Sequence, residues 1–190
     1  MSLLALLRPT RAMAFPFAAV LFPLLWFVYR DATGVDRFAT SSPRILALVG
    51  AAVLVSYAAA VVVGAVIDSA AGAPSRTKPL FAPSNGALTV VAVVSTLLGL
   101  YLLGDATGVV PRWLTTVLTP VGIAVGWPML VAILATYAVG NALGTELPLA
   151  VEGAVVAVGI VASVAWLFVL ASWFAAFATG RSATGHSSAS

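Results

Sequence analysis

Charge placement confines this chain more than any other feature. Its nine Lys and Arg and six Asp and Glu leave five long stretches with no ionisable charge. These are Ala12–Tyr29, Ile45–Ile67, Pro79–Gly104, Trp113–Thr145 and Gly153–Gly180. A helix needs about 20 apolar residues to cross the hydrocarbon core, with about 17 to 25 observed. Each stretch can supply one crossing, and none is long enough for two with a loop between. The sequence therefore predicts an all-α integral membrane bundle of five helices, over Ala12–Val28, Ile45–Ile67, Ala87–Leu103, Leu114–Leu143 and Pro148–Ala178. These form one membrane domain, 1–178. The closing segment 179–190, mostly Ser, Ala, Gly and Thr, reads as a disordered polar tail.

Composition agrees. The chain is 62% apolar and 8% charged, whereas soluble domains carry about a quarter charged residues. A soluble enzyme, a nucleic-acid-binding domain and a disordered protein are excluded. The net charge of +3 is too scattered to form a basic face. Cysteine is absent, which removes disulfides, thiolate metal sites and thiol catalysis. The one histidine, His186, lies in the tail, so neither a His cluster nor Ser-His chemistry is available. No residue implies a metal or other cofactor.

The connections carry turn chemistry. Arg30 to Arg44 and Asp68 to Gly86 are polar and rich in Gly, Pro and Ser, and Gly104–Gly108 and Gly144–Pro148 are short turns. Trp26, Tyr29, Tyr101, Trp113 and Trp173 fall near span ends, where aromatic belts form. Arg8 and Arg11 precede the first apolar run, but no small-residue cleavage site follows it, so it reads as a permanent helix rather than a signal peptide. Five alternating crossings set the two ends of the sequence on opposite sides. Arg8, Arg11, Arg76 and Lys78 then face one side, and Arg30, Arg37, Arg44, Arg112 and Arg181 face the other. Four against five gives no positive-inside bias; the N-terminal end is read as cytoplasmic. Asp-Ala-Thr-Gly-Val recurs at Asp31–Val35 and Asp105–Val109. Two crossings apart, the copies would share a side, as in a parallel two-helix repeat.

Ionisable groups deep in a membrane mark function by default. Here Asp68 and Glu152 sit only at span ends, which argues against a proton pump, a voltage sensor or a charge-coupled antiporter. The fourth span is the irregular one. Pro120 and Pro128 each remove a backbone hydrogen bond, so this helix should kink or open, beside a solute path or as a packing kink. Helices in lipid associate through close contact of small residues. The second span presents Ser56, Ala60 and Gly64 at four-residue spacing, and the fourth presents Gly122, Gly126 and Gly140. These faces are expected to pack on one another, with Gly64 and Gly140 near the contact. The fifth span offers Gly159 and Ser163.

Arg76-Thr-Lys78-Pro79-Leu80, then Pro83-Ser84-Asn85-Gly86 opening a helix, and Leu6-Leu7-Arg8-Pro9 before the first span, resemble the UbiA prenyltransferase superfamily over roughly the first hundred residues. In that family an Asp-rich run binds Mg²⁺ and with it a prenyl diphosphate. This sequence keeps only Asp68 at a matching place and lacks a second Asp-rich loop. The resemblance thus implies a truncated, inactive relative associated with isoprenoid lipid, with Asp68, Arg76 and Lys78 meeting an anionic headgroup. From the residues themselves, the leading expectation is a non-enzymatic accessory subunit, scaffold or minor permease of the cell membrane. Its expected partners are the bilayer and a membrane protein or a second copy of the chain; nucleic acid is not among them.

Overall fold

The computed structural model describes residues 9–33, 42–69, 78–107, 111–144 and 148–178, and among them every regular element is helical. A single 3-10 turn, Arg11–Met13, leads into α1 (Ala14–Thr33). There follow α2 (Ser42–Ser69), a one-turn helix Lys78–Phe81, α3 (Asn85–Thr107), α4 (Arg112–Leu143) and α5 (Leu149–Ala178). Among the described residues, four segments are long and apolar enough to cross a membrane: Arg11–Arg30, Pro43–Ile67, Thr116–Leu143 and Ala150–Ala178. Asn85–Tyr101, the part of the 23-residue α3 whose side chains are described, is apolar as well. The tail 179–190, Arg76 and most of the polar loop after α1 lie outside the described residues.

Local chemistry fixes the helix ends. At the start of α3 the Ser84 hydroxyl accepts the Ala87 N–H at 3.1 Å, satisfying one of the orphan donors of the first turn. Gly144 stops α4 in the left-handed region at φ 63°, which glycine adopts without strain, and its N–H donates to the Asn141 carbonyl. The Pro148 carbonyl then accepts from Val151 and Glu152 at 2.8 and 3.1 Å to open α5.

The hub is α5. It packs against α4, α3 and α1, while α2 packs on α1. Val156, Ile160, Val164, Leu167, Phe168, Ala171 and Ala175 of α5 form most of the core, joined by Ala18 of α1, Ala87 and Val91 of α3, and Val125 of α4. Phe168 is fully buried and meets Phe15 edge-on at 5.7 Å. Phe15 in turn meets Phe81 of the one-turn helix at 5.6 Å.

This arrangement corrects the expected pairing of the second and fourth helices. Ser56, Ala60 and Gly64 are buried, but their seam is with α1 and the turn before it. A Cβ built on Gly64 would lie 3.0 Å from Met13 Cγ. On α4, Gly122 faces Leu98 of α3, Gly126 has open space beside it, and Gly140 is half-buried. The reason is physical: a face of small residues permits close approach without specifying to what. The prolines of α4 do not open it either, since the helix runs unbroken through Pro120 and Pro128.

Helix directions follow from the contacts. Phe15 lies against Phe168 and Phe27 against Gly153, so α1 and α5 are antiparallel. Met13 against Gly64 makes α2 antiparallel to α1. Ala124 against Trp166 and Ala132 against Gly159 make α4 antiparallel to α5. In five strictly alternating helices the first and fifth would be parallel, and here they are not. The proposed two-helix repeat fares no better: α1 and α2 pack along an extensive seam, whereas α3 and α4 meet sparsely.

Candidate functional site

Two places stand out: the seam at the irregular part of α4, and a groove beside it. Pro128 has no N–H, so the Ala124 carbonyl four residues earlier loses its helical donor. The indole N–H of Trp166 supplies one, donating to the Ala124 carbonyl at 3.0 Å. One residue past the proline, the Met129 N–H donates to the Ser163 hydroxyl at 3.1 Å. Both partners lie on α5, and Trp127 and Trp166 stack edge-on at 6.2 Å over the same point. In lipid no water is available for a freed backbone group, so a neighbouring helix must satisfy it. Here α5 does so.

One turn earlier on α5, at Gly159, the two helices approach closely. A Cβ on Gly159 would fall 2.9 Å from Ala132 Cβ and 3.1 Å from Met129 Cα. The first is shorter than side-chain carbons adopt; the second, to backbone, is tighter than most such contacts. Gly159, Ser163 and Trp166 thus form one stripe on α5, at helical spacing, that takes the proline segment of α4. Gly159 and Ser163 are visible in the sequence as a small-residue face. Trp166 is not singled out there, although an indole N–H inside a bundle needs an acceptor and Pro128 releases one.

The groove is apolar and open, about 1140 Å³, between α3, α4 and the C-terminal half of α5. Val90 and Val94, Pro120 and Val121, and Leu170 and Phe174 line it. Thr89, one of its few polar side chains, donates to the Asn85 carbonyl of its own helix at 3.0 Å. Pro120 therefore borders a hydrocarbon-compatible surface, whereas Pro128 is half-buried beside the α4–α5 seam.

Of the headgroup-contact residues expected from the sequence, Asp68 belongs to the last turn of α2 and Lys78 opens the one-turn helix, but their side chains lie outside what is described, as does Arg76 entirely. At the other end of α1, Arg30 sits over the Trp26 ring, 5.5 Å from its centroid. Trp113 and Trp173, two of the expected belt residues, are 67% and 80% exposed. Comparison with protein-family models, with curated proteins and with solved structures finds no match for this chain.

Proposed function

We propose that this chain is a multi-pass integral protein of the cell membrane that serves as a non-enzymatic accessory subunit or scaffold. The observation that carries this reading is that α5 partners the α4 backbone on either side of Pro128. A permease built on α4 needs its freed carbonyls to face a path, yet Trp166 and Ser163 occupy the α4 backbone beside Pro128. That segment is a packing device. Meanwhile α2 is held by α1 alone among the principal pairings, and Leu54 on it is 72% exposed, leaving a broad apolar side for a partner helix or a second copy.

Two measurements test the proposal. In lipid vesicles, the protein should leave glycerol and urea permeation at the level of protein-free vesicles. Added flux that changes in Trp166→Phe would overturn the scaffold in favour of the permease. In native membranes a single cysteine at Leu54 (L54C), in a chain with no other, should give a discrete cross-linked species. Only uncross-linked monomer would count against a partner on α2.

The second reading is the UbiA-type relative. What supports it is that α2 ends, and the Lys78 turn begins, at one end of the bundle, beside Phe15. A single carboxylate in that region is too few to organise a divalent cation with a diphosphate. The purified protein should accordingly transfer no prenyl group with Mg²⁺ and a prenyl diphosphate. Turnover abolished by Asp68→Asn would install the enzyme reading instead.

A further inference from the structure

We infer that α3 is a re-entrant helix: the chain crosses the membrane four times, and both ends of this sequence lie on the cytoplasmic side. The inference deepens the multi-pass reading above and rests on it.

The geometry begins at the end of the bundle that holds Met13. α1 leaves that end and α2 returns to it, because Gly64 meets Met13. The one-turn helix stays there, with Phe81 on Phe15. α3 begins there too, since a Cβ on Gly86 would lie 3.3 Å from Ala175, near the terminus of α5. α5 finishes at this end because it is antiparallel to α1. α4, antiparallel to α5, must therefore start at it. Ala124 is level with Trp166, and both Arg112 and Ala178 lie twelve residues away from that level, about 18 Å along their helices.

Thus α3 and α4 both start at the same end, with four residues, 108–111, between them. Those residues bridge at most about 18 Å from Thr107 to Arg112. The 23-residue α3, if aligned with its neighbours, would carry Thr107 more than about 30 Å away from that end. The chain could not return in time. α3 must instead incline by about 60° or more to α4 and α5, entering the bilayer and leaving its far end near the side it came from. Leu98 Cδ2 lying 3.7 Å from a Cβ built on Gly122 fits this oblique crossing. So does the sparse contact between α3 and α4.

Charge supplies an independent observation. With α3 re-entrant, Arg8, Arg11, Arg76, Lys78, Arg112 and Arg181 fall on the Met13 side by chain position, and only Arg30, Arg37 and Arg44 on the other. The acidic residues divide the opposite way: Asp31, Asp36, Glu146 and Glu152 are on the far side, against Asp68 and Asp105. A balance of four to five under alternating crossings becomes six to three. Basic residues accumulate on the cytoplasmic side, so the Met13 end is cytoplasmic.

The absence of native cysteine makes the test direct. Single cysteines at Ser2, Ser75, Val110 and Ser190, and at Thr40 and Thr145, are placed in the full chain and treated in intact cells with a membrane-impermeant maleimide. Thr40→Cys and Thr145→Cys should be labelled at once, and the other four only after permeabilisation. Periplasmic-type labelling of Val110→Cys and Ser190→Cys, with Thr145→Cys protected, would restore five alternating crossings and overturn the re-entrant helix. The mirror pattern at all six positions would overturn the orientation. Topology reporters fused to each end of the full chain give a second readout that does not depend on any substitution. Both ends on one side support the inference, and opposite sides end it. Recovery of the protein in the soluble fraction would instead sink the membrane reading on which all of this stands.

Discussion

The two best-developed seams of the bundle are built on different physics. Between α1 and α2, contact is made by Ala52, Ser56, Ala60 and Gly64, all buried and spaced four apart. Ser56 spends its hydroxyl on the Ala52 carbonyl of its own helix, at 2.6 Å. Between α4 and α5, small residues again permit approach, but Trp166 and Ser163 reach across and bond backbone groups of the partner. The first seam depends on shape alone. The second has a register, because a proline on one side and two donors or acceptors on the other must coincide. Lipid chains are as apolar as leucine, so burial from water cannot choose between neighbours; bonds that would otherwise go unmade can.

The largest effect is expected at Gly159. Its built Cβ would lie 2.9 Å from Ala132 Cβ and 3.1 Å from the Met129 backbone, so Gly159→Ala should cost about 1–3 kcal/mol and Gly159→Leu should reach the top of that range or abolish folding. Unfolding in mixed detergent micelles measures it. Gly159→Ala melting with the parent would mean the α4–α5 backbones are not in close contact.

Next comes the cap on the proline. Trp166→Phe keeps the ring and removes the donor, leaving the Ala124 carbonyl bare. Inter-helical bonds in membranes are worth about 0.6 kcal/mol on average and up to about 1.7, and this one should fall in the upper half. A double-mutant cycle isolates it: Pro128→Ala restores an N–H to Ala124, so the cost of Trp166→Phe should shrink in that background. Equal cost in both backgrounds would show that the indole is not serving the freed carbonyl.

The α1–α2 seam should give way more softly. The one neighbour of Gly64 is Cγ of the unbranched Met13 side chain rather than backbone, so Gly64→Ala should cost less than Gly159→Ala, about 1 kcal/mol. A loss equal to that of Gly159→Ala would erase the contrast between the seams. Smallest of all is Gly126→Ala, with open space beside it. Alanine is the better helix former by about 0.8–1 kcal/mol in water, so the variant should match or slightly exceed the parent in thermal stability. A marked fall would reveal a contact at Gly126 made by another chain.

These differences also mark what the sequence discloses. The helices are legible because a charge in hydrocarbon is costly, and Arg30, Arg44, Asp68, Arg112 and Glu152 punctuate the chain accordingly. The face formed by Ser56, Ala60 and Gly64 is legible too, since spacing alone assigns it. Its partner is not: the same small residues on α4 are equally compatible, and only three-dimensional contact selects α1. The inclination of α3 leaves no trace in composition, because Ala87–Leu103 is as uncharged as any true span. What betrays it is that α1 and α5 run in opposite directions. Trp166 and Pro128 are each visible as residues, but their pairing spans 38 positions of chain and follows from the fold.

The place of the hub in the order of synthesis has a consequence for biogenesis. Chains are made from the N-terminus, and domains usually begin to fold as they emerge. Here the helix that contributes seven of the eleven residues of the core cluster is the last of the five to leave the ribosome. Until it does, α1 and α2 have each other, α3 and α4 have little, and the Ala124 carbonyl has no donor. The bundle cannot ripen helix by helix; it waits in the bilayer and assembles when α5 arrives. A chain cut short before Leu149 would therefore be inserted yet unassembled, with its proline break open to whatever polices the membrane for unfinished proteins.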